Sequence, residues 1–229
     1  MLRLLALLPL FISPAFASPL ASLPDGQYSN SSGSVLAELT PLAPRLSGRV
    51  LKTAYNTSRC AVARHLSKPA RYLGVIDYTL PSTEKRFWMF DVHYRKLLFE
   101  ELVAHGKNTG ENYARSFSNT LGSLQSSLGL FRTGETYLGK NGYSLRLHGL
   151  ETGINDLAFD RTIVMHGAPY VNEEFIQEHG RLGRSWGCPA LRPEVTQKVL
   201  RLFEDNGFLF IYHAESEWEA ESPLKPLCQ

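Results

Sequence analysis

Cys188 and His166 are the two residues of this chain whose types and surroundings suggest covalent chemistry. Cys188 lies in segment 185–190, SWGCPA, and follows His166 by 22 residues. Gly187 before the cysteine and Pro189 after it restrict the backbone, so the thiol can project from a tight turn beside converging N–H groups. A histidine that accepts the thiol proton activates such a cysteine for acyl transfer. The pattern predicts a cysteine acyl-enzyme with Cys188 as nucleophile, His166 as base and backbone donors around the oxyanion.

Two further interpretations concern the histidines. His166 closes the apolar run 162–165 and precedes a glycine, which predicts a strand that ends at a loop. His148 ends a neighbouring predicted strand, where it could orient His166, bind substrate or serve as an ordinary structural histidine. His148, His166 and Cys188 could also bind zinc together, but no HExxH or clustered CxxC spacing supports that hypothesis. We expect no metal and no other cofactor.

Three arginines and one tryptophan lie in or near the cysteine segment of the sequence. Arg181, Arg184 and Arg192 flank it, and their paired N–H donors suit substrate carboxylates, although ordinary solvated arginines explain them as well. Trp186 could pack over substrate or anchor the turn, and we expect it to anchor the turn.

The chain has three cysteines, an odd number for an exported protein. One interpretation is a bridge between Cys60 and Cys228 that leaves Cys188 as the free thiol. Three free thiols are the alternative, because sequence does not establish the geometry that a disulfide requires.

The first residues indicate export. Residues 1–17 contain one cation, Arg3, then an apolar run and small residues at 15–17, which is typical of a cleaved signal peptide. The run is too short for a spanning helix, so we expect no stable membrane insertion after cleavage. Cleavage lowers Lys+Arg from 24 to 23 against 22 Asp+Glu, a net charge of +1. That balance suggests no nucleic-acid partner.

The remaining chain divides by composition. We expect a linker or flexible arm at 18–48, a helical lead-in at 49–71, a mainly β catalytic domain at 72–213 and an exposed tail at 214–229. Pro193, apolar residues at helical spacing and Gly207 predict one helix after the cysteine. The predicted strands are 73–80, 87–93, 97–104, 129–138, 143–150, 162–166 and 208–212.

These motifs resemble a known family. Segments 162–170 and 183–190 are similar to the catalytic signature of YkuD-type L,D-transpeptidases, above all the branch of murein L,D-transpeptidase catalytic domain proteins. Segments 117–119, 126–129 and 145–155 resemble other blocks of that branch, so the likeness covers about residues 72–212. In the better-known branch a histidine stands two residues before the cysteine and a polar or cationic residue two after it, whereas this chain has Trp186 and Ala190.

The resemblance implies a β-sandwich-like, mainly β (α+β) catalytic domain and specific roles for several residues. Cys188 would be the nucleophile and His166 the base, oriented near the carbonyl of Gly167. The backbone of Ser185, Trp186, Gly187 and Cys188 would hold the oxyanion. The candidates for substrate binding are His148, Tyr170, Arg184 and Arg192.

Family members form a thioester with a peptidoglycan tetrapeptide stem, release the terminal D-alanine and pass the acyl group to an amine. We therefore expect an exported, periplasmic L,D-transpeptidase whose partners are peptidoglycan stem peptides. Two alternatives stay open: a carboxypeptidase or endopeptidase that hydrolyses the same stems, and a non-catalytic protein that binds the cell wall. The oligomeric state is not predicted.

Overall fold

The computed structural model describes residues 32–214 and 222–224, which form a mainly β domain with four α-helices. In this part of the chain, no helix has the length and apolarity needed to cross a membrane. The helices are α1 (Ser32–Leu39), α2 (Gly48–Ala63), α3 (Glu173–His179) and α4 (Pro193–Phe203). The strands are β1 (Tyr72–Asp77), β2 (Phe87–Asp91), β3 (Lys96–Glu101), β4 (Val103–Ala104), β5 (Gly129–Gly139), β6 (Gly142–Gly149), β7 (Val164–Gly167), β8 (Ala190–Leu191) and β9 (Gly207–Tyr212).

The nine strands form one continuous mixed sheet in the order β3-β2-β1-β9-β5-β6-β7-β8-β4. Strands β1 and β9 are parallel, as are β7 and β8, and the other neighbours are antiparallel. The outermost strands, β3 and β4, are consecutive in the chain and only Leu102 separates them. The sheet must therefore bend until its two edges almost meet. The prediction of a mainly β domain with a helix after the cysteine is confirmed.

Arg86 ties these two edges together from inside the protein. Its side chain is fully buried and donates to the carbonyls of Val103 (2.9 Å from Nη2) and Leu80 (2.9 Å from Nη1). Nη2 also lies 2.7 Å from Nδ1 of His105, and the guanidinium packs on the ring of Tyr78. Burial lowers the pKa of Arg86 to about 10, so it stays cationic at neutral pH.

The centre of the sheet is covered on both faces. Every residue of β1, β2 and β9 is buried, which explains why these strands are almost continuously apolar. Phe203 of α4 lies over two glycines of adjacent strands: a Cβ at Gly74 would lie 2.5 Å from its ring, and one at Gly207 2.3 Å. Small residues at these positions let the helix approach the sheet.

The two ends of the described chain differ from the predictions. Within the predicted arm 18–48, residues 32–42 are helical, and Val35, Leu39, Ala43 and Leu46 are buried. Within the predicted exposed tail, Ser222 and Leu224 are buried, and Ser222 donates to the buried carboxylate of Glu151. The predicted signal peptide, 1–17, lies outside the described residues. Helix α3 and the short strand β8 were not predicted.

Candidate functional site

The sulfur of Cys188 rests on the chain that leads into β7. The residue is 8% exposed, and its Sγ accepts the backbone N–H of Val164 at 3.5 Å. The thiol donates to the carbonyl of Thr162 at 3.7 Å. Thr162 has φ +56°, a rare conformation for a β-branched residue, and such conformations concentrate at functional sites. Two residues of one segment therefore hold the sulfur in place.

The turn that carries Cys188 is fixed by its glycine and its serine. Gly187 has φ +122°, and a Cβ there would lie 2.8 Å from the carbonyl oxygen of Gln125 and 3.0 Å from Ile163. Ser185 Oγ accepts the N–H of Gly187 at 3.1 Å and donates to the carbonyl of Cys188 at 2.6 Å. Position 187 thus requires glycine, and the serine closes the turn.

A neighbouring segment supports this turn from outside. The N–H of Ser185 donates to the carbonyl of His105, and Gly106 forms a β-bridge with Ser185. Ser126 Oγ accepts the N–H of Gly106 and donates to the carbonyl of Gly187, both at 3.0 Å. Three chain segments distant in sequence therefore meet behind the cysteine.

His166 lies on β7, opposite Ala190 of the parallel strand β8. Its Nδ1 is 3.0 Å from the carbonyl of Gly167. Because a carbonyl only accepts hydrogen bonds, Nδ1 carries the proton and Nε2 keeps a lone pair. Val164, whose backbone N–H contacts Sγ, lies two residues before His166 on the same strand. The strand that contacts the sulfur therefore also carries the histidine, which is in the tautomer of a general base.

Cys188 and His166 both have pKa values shifted toward their neutral forms. Burial raises the pKa of Cys188, against the opposing effects of the Val164 N–H, Arg161 and the N–H of Cys188 itself. Burial lowers the pKa of His166, although its hydrogen bond to Gly167 acts in the other direction. A neutral thiol can attack a carbonyl if a neutral imidazole within reach takes its proton during the attack.

Two tyrosines, the buried Tyr78 and the partly buried Tyr170, interact electrostatically with the thiol. Burial raises the pKa of Tyr78 to about 12, and that of Tyr170 to about 12, so both are neutral. The hydroxyl of Tyr78 donates to the carbonyl of Ala104 at 3.3 Å. Tyr170 packs on Gly183, where a Cβ would lie 2.4 Å from the tyrosine Cβ. The structure thus places Tyr170, a predicted substrate contact, on the cysteine side of the domain.

Arg161 interacts with the cysteine site, although the sequence pattern did not predict this. Its guanidinium donates to oxygens of the serine-rich segment 118–127, including Ser123 Oγ at 3.0 Å and the carbonyl of Gln125 at 2.7 Å. It is also the cation that acts on the Cys188 thiol. The only available signal was its position directly before the strand of His166.

His148 does not lie beside His166, contrary to one of the predicted possibilities. The residue of β6 opposite His166 is Ser144, and His148 lies four residues further along the strand, about 13 Å away. Its ring stacks on Phe159 with a centroid distance of 5.1 Å. Burial lowers the pKa of His148. A packed structural histidine describes it best.

The arginines near the cysteine are engaged in ion pairs. Arg184 and Arg181 bind the two carboxylate oxygens of Glu111 at 2.6 and 2.9 Å. Arg192 binds Glu101 at 2.7 Å. These pairs brace the chain on either side of the cysteine segment, and the substrate-binding role of Arg184 and Arg192 stays a prediction.

Trp186 does not anchor the turn. It is 71% exposed, and the ammonium group of Lys140 lies 6.0 Å from its ring centroid. Lys140 belongs to the tip of the β5–β6 hairpin, so the exposed indole lies near this tip. The expectation of an anchor is wrong because the ring points into solvent.

The structure also bears on the predicted disulfide and on the zinc hypothesis. Cys188 is a free thiol, whereas Cys60 is disulfide-bonded. Cys228 lies outside the described residues, so its pairing with Cys60 stays a prediction. Among residues 32–214 and 222–224, no three His, Cys, Asp or Glu side chains group as a metal site would require.

Comparison with known proteins identifies a family. A family described as L,D-transpeptidase catalytic domain matches residues 42–212. No curated relative matches the chain.

Similar solved structures include three L,D-transpeptidases. One from Mycobacterium smegmatis is 13% identical with a TM-score of 0.39, over 63% of this chain and 59% of that protein. L,D-transpeptidase 3 from Mycobacterium tuberculosis is 11% identical with a TM-score of 0.38, over 63% and 62%. One from Stackebrandtia nassauensis is 12% identical with a TM-score of 0.37, over 80% and 77%. This chain thus covers about three fifths of the two mycobacterial proteins.

Proposed function

The chain belongs to the L,D-transpeptidase catalytic domain family, and from this membership we propose an exported, periplasmic cysteine acyltransferase that acts on peptidoglycan stem peptides. The observation that carries the proposal is a free thiol, Cys188, held against the strand that carries His166, a histidine whose Nε2 lone pair is available. Export and location rest on residues 1–17, which lie outside the described residues.

The first step forms a thioester. Sγ of Cys188 attacks the carbonyl carbon of the amide before the terminal D-alanine of a tetrapeptide stem, and Nε2 of His166 takes the thiol proton. A C–S bond forms and the carbonyl oxygen becomes an oxyanion. When the intermediate collapses, the C–N bond breaks and D-alanine leaves with the proton that His166 returns.

The oxyanion donor follows from the hydrogen bonds of the turn. The N–H of Gly187 is bound to Ser185 Oγ, so it is occupied. The N–H of Cys188 lies beside its own sulfur, where it opposes the burial effect on the thiol pKa. An amide beside the attacking atom is suited to bind the charge that develops on the carbonyl oxygen. We assign this role to the Cys188 amide.

The second step determines the product. An amine of another stem attacks the thioester, its proton passes to His166, and the thiol is regenerated as the new amide forms. Water in place of the amine would give a shortened stem, which is carboxypeptidase activity. The 8% exposure of Cys188 favours transfer over hydrolysis, because a shielded thioester meets little water.

Mass spectrometry of the products tests the proposal. The purified chain from residue 18 onward is incubated with a disaccharide-tetrapeptide from peptidoglycan. We expect a cross-linked dimer that lacks one D-alanine, and no dimer with Cys188→Ala. Tripeptide alone would indicate the hydrolase, and absence of both products and of a thioester mass would contradict both enzymatic proposals.

A matched pair of histidine variants tests the base. His166→Ala should lower the rate of thioester formation by about 100-fold or more, the usual contribution of a positioned base. His148→Ala also removes a partly buried histidine, but at about 13 Å from His166 along the sheet. It should keep most of the activity, and equal losses in the two variants would argue against a specific role for His166.

A further inference from the structure

We infer that Arg161 is a positioning residue for the proposed acyl transfer: it clamps the serine-rich loop against the cysteine turn and supplies the positive charge that favours the thiolate. This inference rests on the proposed function, because it assigns a role within the same site. We call residues 118–127 the serine loop.

A single guanidinium organises the serine loop. Nη1 of Arg161 donates to the carbonyl of Ser118 and to Oγ of Ser127. Nη2 donates to Oγ of Ser123 at 3.0 Å and to the carbonyl of Gln125 at 2.7 Å. The fork of N–H donors thus binds both ends and the middle of the loop, an arrangement that the point charge of lysine reproduces only in part.

The clamped loop is the surface on which the cysteine turn rests. The carbonyl of Gln125, held by Arg161, lies against Gly187 at the position where a Cβ would be 2.8 Å away. The next residue, Ser126, donates its hydroxyl to the carbonyl of Gly187. A loop that moved away would remove both contacts with the residue directly before Cys188.

The same arginine also precedes the segment that holds the sulfur. Thr162 follows Arg161 directly, and its carbonyl lies 3.7 Å from Sγ of Cys188. The N–H of Val164 contacts the sulfur from the same segment. Arg161 therefore fixes the surroundings of the thiol through the chain as well as through the serine loop.

Few titratable groups near the thiol carry a charge. Tyr78 and Tyr170 are neutral phenols, and His166 is a neutral imidazole because burial lowers its pKa. Arg161 is the cation among these groups, and its charge opposes the burial that raises the pKa of Cys188.

The charge of Arg161 is also left available. All four of its acceptors are neutral oxygens. Within residues 32–214 and 222–224, no carboxylate pairs with it. A half-buried cation without a counter-ion stabilises an anion that forms close by.

The test is the pH dependence of Cys188 alkylation by iodoacetamide, which reports the thiolate without any cell-wall substrate. Arg161→Gln keeps hydrogen-bond donors but loses the charge, and Arg161→Lys keeps the charge but loses the fork. We expect Arg161→Gln to move the alkylation midpoint upward by about one pH unit, which is about tenfold slower alkylation below the midpoint. Arg161→Lys should shift the midpoint less while still lowering kcat for transfer.

Arg146→Gln is the matched control. This arginine pairs with Glu135 on the β5–β6 hairpin and should leave the midpoint unchanged. If Arg161→Gln does not fold, Arg161→Met replaces it as the variant without charge. Equal midpoints in the wild type and the charge-free variant, with only a lower Tm, would overturn the inference.

The outcomes also separate this inference from the proposed function. If Arg161→Gln shifts the alkylation midpoint but the wild type yields no peptidoglycan product, Arg161 is supported as a thiolate-stabilising residue and the proposed substrate is rejected. If Arg161→Gln leaves the midpoint unchanged and the wild type yields a cross-linked product, the proposed function is supported and the role of Arg161 is rejected.

Discussion

The carbonyl oxygen of Gln125 occupies the space where a side chain at Gly187 would begin, because a Cβ there would lie 2.8 Å from it. With φ +122° as well, Gly187→Ala combines a backbone clash with a conformation that L-residues avoid. We expect a loss of about 2 to 3 kcal/mol in unfolding free energy, which lowers Tm by several degrees.

Gly122→Ala is the control that separates the effect of the backbone clash from the effect of positive φ. Gly122 also has positive φ, +72°, but a Cβ there meets nothing within 4 Å. The Gly122→Ala variant should lose only about 1 kcal/mol of unfolding free energy, measured by urea unfolding in parallel with Gly187→Ala. Equal losses would mean that the contact with Gln125 has no effect on stability.

Arg86 gives a second prediction, which concerns the closure of the sheet. Arg86→Met would leave the buried carbonyls of Leu80 and Val103 without their donor. Because unsatisfied buried carbonyls are costly, we expect a loss of about 3 to 5 kcal/mol by urea unfolding. Arg45→Met removes an exposed arginine that pairs with Glu100, and it should change stability by less than about 1 kcal/mol. A small effect of Arg86→Met would show that the edges close without it.

The third prediction is the pH dependence of thioester formation. In the proposed mechanism His166 must be neutral to act as the base, and burial lowers its pKa below the ordinary value of 6.5. Protonation therefore inactivates the enzyme only at acidic pH, and kcat/KM should rise with a midpoint below 6.5 and stay level through about pH 8. His148→Ala should keep this midpoint. A midpoint well above 7 would instead indicate that ionisation of Cys188, whose pKa is raised, limits the reaction.

Trp186 yields a prediction that separates stability from substrate handling. Because the side chain is 71% exposed, Trp186→Ala should change the free energy of unfolding by less than about 0.5 kcal/mol. If the indole packs over substrate, KM for the stem peptide should rise severalfold. Trp88→Ala, which removes a fully buried tryptophan, is the contrasting variant and should lose about 3 to 5 kcal/mol. A large loss of stability in Trp186→Ala would restore the anchoring role.

The sequence predicted what depends on residue type and local pattern. Cys188 between glycine and proline and His166 at a strand end were identifiable from the sequence. The structure places His166 on β7 and Cys188 in the turn before the neighbouring strand β8. Most strands were predicted to within a few residues because their buried runs are apolar or alternate with polar residues.

Strand register and contacts between distant residues could not be predicted from the local sequence pattern. Spacing alone did not reveal that Ser144, not His148, lies opposite His166, because a strand's register depends on its neighbours. Arg161 was missed for a similar reason: Ser118 and Ser127 lie 43 and 34 residues before it. Helix α1 was taken as part of an arm because residues 18–48 are rich in Ser, Pro, Gly and Leu, whereas Val35 and Leu39 of this helix are buried by tertiary packing.

The position of β9 affects the order in which the protein can fold. Among the described residues this strand is the last in sequence, yet it lies between β1 and β5 near the middle of the sheet, and Tyr72 pairs with Gly207 across 135 residues. Until Gly207–Tyr212 has left the ribosome, β1 and β5 cannot be joined and their buried faces stay incomplete. The amino-terminal half of this sheet therefore cannot complete its packing during synthesis before residues 207–212 are available.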